Sequence, residues 1–102
     1  MKTDLREWSS MDGSQHGKIL FLWCPGCDAL HSVELEHSPT TWNWNGDLEK
    51  PTISPSILTH MSDVNKCHCY VRDGKWEFLS DSYHALAGQT VEMVDLPDWV
   101  TG

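Results

Sequence analysis

Apolar positions along this chain come in short runs, many with a period of two, broken by Gly, Pro and Asn. That pattern predicts short strands and hairpins rather than long helices. Lys18 to Trp23 carries Ile19-Leu20-Phe21-Leu22-Trp23 and reads as a buried strand. It runs into Cys24-Pro25-Gly26-Cys27, after which Leu30 to Glu36 places Val33 and Leu35 on one side. The two segments predict a first hairpin with the cysteine turn at its tip. A second hairpin is marked by Asp73-Gly74, a two-residue loop signal between Tyr70-Val71-Arg72 and Lys75-Trp76-Glu77-Phe78-Leu79. Its register follows from the loop: Arg72 faces Lys75, Val71 faces Trp76 and Cys69 faces Phe78. Cys67, Cys69 and Val71 then share the core face with Trp76 and Phe78, while His68, Tyr70 and Arg72 point away.

The remaining segments are less regular. Residues 1–17 are polar and read as a flexible tail, with Trp8 as an anchor, leaving 18–102 as a single domain. His37 to Pro55 reads as loop, broken by Pro39, Gly46, Pro51 and Pro55, with Trp42 and Trp44 on one side covering the core. Pro51 to Leu58 is extended, and its two prolines predict an edge strand or a strapped coil. Ser82 and Gly88 can cap and end a short helix around His84, and Gln89 to Asp95 predicts a last strand. Trp23, Trp42, Trp44, Trp76, Phe78 and Leu86 are the expected core cover. The fold class is α+β, mostly antiparallel β, with two hairpins and one short helix.

Composition narrows the functions. With 15 acidic and 7 basic residues in 102, the formal net charge is -8, which disfavours binding to nucleic acid or an anionic membrane. No apolar run reaches the roughly 20 residues of a membrane span. The charged start predicts no export signal, hence a cytoplasmic protein. In that setting Cys24, Cys27, Cys67 and Cys69 are better metal ligands than disulfides. A Cys-x-x-Cys turn with Pro25 and Gly26 suits a metal knuckle. The redox version of the motif opens a helix, whereas strand-like alternation follows here.

A closed zinc site needs four ligands. Cys24 and Cys27 supply two, and Cys67 supplies a third from the second hairpin. Cys69, His84, His68 and His31 remain open as the fourth. Asp28 and Asp47 are poor ligands for structural zinc, which prefers sulfur and imidazole.

The blocks Cys24-Pro25-Gly26-Cys27, His31, Trp42-x-Trp44-Asn45-Gly46, Pro51-Thr52-Ile53-Ser54-Pro55-Ser56-Ile57, Cys67-His68, Val71-Arg72-Asp73-Gly74 and His84-Ala85-Leu86-Ala87-Gly88-Gln89-Thr90-Val91 follow in order. Over roughly residues 20–99 the chain resembles a family of small proteins of unknown function encoded by bacteriophages and prophages. The name "ammonia monooxygenase" often attached to that family does not suit a chain without a membrane span. In the family the position of Cys69 is usually not cysteine, whereas Cys67, His68 and His84 match, so the resemblance implies Cys24, Cys27, Cys67 and His84 as ligands. The resulting expectation is an acidic phage-type accessory protein, held by structural Zn2+ in a zinc-ribbon or rubredoxin-like knuckle. It would act by binding a host protein in the host cytoplasm, with no catalytic residue and no further cofactor. Two alternatives are a zinc-dependent hydrolase with an open metal position, served by His31, His68 and an acidic residue as proton carriers, and a nucleic-acid-binding zinc ribbon.

Overall fold

In a computed structural model, which describes residues 2–36 and 40–101, eight strands form two antiparallel sheets. The first sheet has the order β1 (Thr3–Ser9), β2 (His16–Cys24), β3 (Ala29–Glu34). The second has the order β4 (Asn43–Trp44), β5 (Ile53–His60), β6 (Lys66–Arg72), β7 (Lys75–Phe78), β8 (Thr90–Glu92). Helix among the described residues is confined to one turn, α1 (Asp98–Thr101). No helix among them is long and apolar enough to cross a membrane.

Strand alternation builds the core. Leu20, Leu22, Cys24 and Val33 from the first sheet meet Ile53, Ile57, Cys67, Cys69, Val71, Trp76 and Phe78 from the second in one buried cluster. Burying such side chains contributes about 1.5–3 kcal/mol each. Trp42, Trp44 and Leu86 lie half-buried against this cluster. Trp23 does not join it: being out of phase with Leu22 and Cys24, it turns outward and meets Trp99 edge to face, with ring centroids 6.0 Å apart.

Both expected hairpins are present. Cys24 pairs with Ala29 across the cysteine turn. In the second, Arg72 pairs with Lys75, Val71 with Trp76 and Cys69 with Phe78. Asp73 and Gly74 both take positive φ, 50° and 74°, as the two-residue turn demands.

Three expectations change. Residues 3–9 are not loose: β1 pairs with β2 over its whole length, Thr3 with Leu22 through Ser9 with His16. The segment reads as polar because it is an edge strand, with only Thr3 buried. The sequence 82–88 forms successive turns instead of a helix. Its polar groups are engaged elsewhere, since Tyr83 N–H donates to Lys66 O and the Ser82 hydroxyl bonds to His68. Finally, the prolines do not keep β5 at the edge of the sheet, yet β4 covers it only at Ile53 and Ser54. Its register against β6 breaks between Ile53 and Ile57, the stretch carrying Pro55 and Ser56. The expected breaker Pro39 lies outside the described residues.

Candidate functional site

β6 carries chemistry on both faces. Its odd positions, Cys67, Cys69 and Val71, are fully buried, and its even positions are half-exposed or exposed.

On the inner face, Cys24, Cys27, Cys67 and His84 place their ligand atoms within 4.8 Å of one another, close enough to hold a metal ion. The cysteine turn brings the first two together, with Cys27 N–H pointing at Cys24 Sγ from 3.4 Å. Cys24 Sγ lies 3.9 Å from Cys67 Sγ, which in turn is 3.4 Å from His84 Nε2. Leu86 N–H meets His84 Nδ1 at 3.2 Å and so fixes which ring nitrogen faces the sulfurs. The imidazole lies over Gly26, where a Cβ would come within 2.2 Å of its Cε1. Glycine at the knuckle therefore makes room for the fourth member of the group.

The local environment disfavours bare thiolates. Contact with Cys67, followed by burial, pushes the Cys24 thiol up to about 12, and burial raises Cys27. At Cys67 the contact with Cys24 favours the thiolate, but the Cys69 thiol and burial together outweigh it and the net direction is upward. Burial lowers His84. A divalent cation reverses this balance, because it binds the thiolate directly. Three sulfurs and one imidazole suit a tetrahedral ion, and four protein donors leave no position for a reacting water.

Other candidate ligands lie elsewhere. Cys69 is buried with its sulfur toward Ile57 O, at 3.8 Å. His31 is buried beside the cluster, its ring edge-on to Trp76, and its Nε2 has no partner among the described residues. His68 points away from the cluster, on the other side of β6.

There His68 joins a second constellation. Its Nε2 lies 3.2 Å from Ser56 Oγ on β5, and its Nδ1 lies 3.2 Å from Asp81 Oδ2. Asp81 also meets Lys66 Nζ at 3.3 Å. The bond to His68, then that to Lys66, holds the Asp81 carboxyl below the usual range and keeps it charged. Backbone contacts hold Ser56 and His68, and the segment that carries Asp81, in place. Trp42 Nε1 donates to Ser56 O at 3.3 Å. The buried Ser82 hydroxyl accepts from His68 N–H at 2.9 Å and donates to His68 O at 2.8 Å, clasping the segment after β7 onto β6. Leu79 N–H adds a second bond to His68 O.

A hydroxyl, an imidazole and a carboxylate in this sequence are the parts of a nucleophilic acyl-transfer site: nucleophile, base, and the group that orients the base. Periodicity could show only that His68 faces outward. Ser56 and Asp81 lie 12 residues before and 13 residues after it, and no spacing rule links the three.

One family model, that of the bacterial ubiquitination-like system serine protease (BubE), matches residues 2–79. That span begins inside the segment expected to be a tail, includes Ser56 and His68, and ends just before Asp81. It replaces the phage and prophage family suggested by the sequence blocks. No curated protein and no solved structure matches.

Proposed function

The chain belongs to the family of bacterial ubiquitination-like system serine proteases, and on that footing we propose that it is a small serine peptidase whose catalytic groups are Ser56, His68 and Asp81. One observation carries this reading: His68 bridges a hydroxyl and a carboxylate through its two ring nitrogens, at 3.2 Å each. Ser56 Oγ attacks an acyl carbon while His68 Nε2 takes its proton. His68 then returns that proton to the departing amine, and water releases the acyl group from Ser56 by the same exchange. Asp81 holds the imidazole in the required tautomer and stabilises its protonated form. The substrate is a peptide bond in a protein of a bacterial ubiquitination-like system, the one context that the family description supplies.

Cys24, Cys27, Cys67 and His84 would hold Zn2+ as a structural ion. For so small a core, zinc contributes on the order of 10 kcal/mol to folding. The donor set argues against the zinc hydrolase alternative, because chemistry at the metal needs an open position.

The test is labelling with a fluorophosphonate, read by peptide mass spectrometry. A single adduct on Ser56, lost in Ser56→Ala and in His68→Ala while one zinc per chain is retained, is the expected result. Labelling that ignores both substitutions overturns the assignment.

A further inference from the structure

Among the described residues, the side of β5 away from β6 is used only in part, by β4 at Ile53 and Ser54 and by the Trp42 ring at Ser56 O. Cα register pairs Ile57 with Cys69, Leu58 with His68, Thr59 with Cys67 and His60 with Lys66. In an antiparallel ladder, successive residues send their N–H and C=O to opposite sides. The even residues of β6 are engaged away from β5. His68 N–H goes to Ser82 Oγ, His68 O accepts from Leu79, and Lys66 O accepts from Tyr83. Ile57 and Thr59 are therefore the residues of β5 bonded to β6, and Leu58 and His60 present their peptide groups to the opposite side. Ser56 O faces that side too, where Trp42 meets it. β4 stops at the Ser54 pairing, and among the described residues no backbone group pairs with Leu58 or His60 on that side.

We propose that this edge, from Ser56 to His60, is the substrate-binding strand. An extended peptide adds to the sheet end to end with β4 and pairs through its main chain with Leu58 and His60. The proposal rests on Ser56 being the nucleophile and names what delivers the acyl carbon to it. Two residues of strand span about 7 Å, so a peptide bonded to Leu58 has its scissile carbonyl at Ser56 about two residues away. Main-chain pairing accounts for affinity for unfolded or tail-like polypeptide. Side chains directly opposite each other share a face. Leu58 is 47% exposed on the face that carries His68, so the substrate residue opposite it is apolar.

The test uses p-nitrophenyl esters of acetyl-alanine and acetyl-tetraalanine, which share one leaving group. The longer ester is expected to show kcat/KM at least about tenfold higher, the value of one or two peptide hydrogen bonds. N-methylation of the amide two residues from the ester, tried on the wild-type protein, removes most of that gain. So does Leu58→Pro, which deletes an outward N–H without touching the ladder to β6. A ratio near one between the esters, or a gain that survives both changes, overturns the proposal while Ser56-dependent hydrolysis stands. Hydrolysis that persists in Ser56→Ala overturns the nucleophile assignment and the docking strand with it. A gain that follows protein concentration assigns the edge to a second copy of the chain and likewise overturns the proposal.

Discussion

Cys67 and His68 are neighbours in the chain, yet they work in different surroundings. Cys67 faces a dry interior among sulfurs, where burial works against charge. His68 faces solvent, between a hydroxyl and a carboxylate that stays ionised. The pleat of β6 alone separates them. The same division recurs after β7, where Asp81 reaches the outer face and His84 the inner one. A thin domain can thus use one strand and one turn segment twice. On the proposed reading, the inner groups hold the backbone in place and the outer groups use that placement.

The sharpest way to break this division is to empty the inner face. Cys67→Ser, or exhaustive chelation, is expected to unfold the domain and abolish labelling of Ser56 together, a loss on the order of 10 kcal/mol. Circular dichroism and native mass spectrometry report both changes. Cys69→Ser is the control, since that sulfur is outside the group of four. It should keep one metal per chain while losing about 1–3 kcal/mol for a buried hydroxyl in an apolar setting.

Removing the outer groups should do the reverse. Ser56→Ala and Asp81→Asn are expected to lower kcat by at least about 10³-fold and 10²-fold respectively, with Asp81→Asn acting through a misplaced imidazole proton. Metal content should stay at the wild-type value in both, and melting temperature should stay there in Ser56→Ala and fall only slightly in Asp81→Asn, which also loses the exposed pair with Lys66. Any fall in metal content would show that the two faces are less separate than the geometry implies.

Smaller effects sharpen the comparison. Gly26→Ala drives a methyl into the His84 ring, and overpacking of this kind costs about 1–3 kcal/mol. Competition with a chelating dye should register it as weaker metal binding. Ser82→Ala leaves His68 N–H without that partner, a cost of about 1–3 kcal/mol in a buried position. Its kcat should fall further than its metal affinity, because the clasp acts on the proposed catalytic side. Lys66→Gln removes an exposed ion pair and should cost less than about 1 kcal/mol, read as a small drop in melting temperature.

How much of this could be read from the sequence depended on how local the signal was. The hairpin β6–β7 was legible residue by residue, because Asp73-Gly74 fixes the turn and the turn fixes the register. The cysteine turn was legible for the same reason. β1 was not, because an edge strand with one solvated face need carry few apolar residues. The turns around His84 were mistaken for a helix because Ser82 and Gly88 stand at cap spacing. The Ser82 hydroxyl instead serves His68, a partner 14 residues away. Ser56, His68 and Asp81 were hidden for the most basic reason: two strands and the turn after β7 bring them together, and such groups are recognised by geometry rather than by order. The outward turn of His68 was the one part of that site open to pattern reading.

The Ser82 clasp has a practical corollary for anyone sorting hydrolases by inhibitor. A compound that strips a metal from the inner group would free Cys67 and His84, the residues on either side of the clasp, and with them the grip on His68. Screening panels would then file the protein with metallopeptidases, although the proposed chemistry runs through Ser56 and not through the metal. Only a reagent that marks the serine itself would return it to the right drawer.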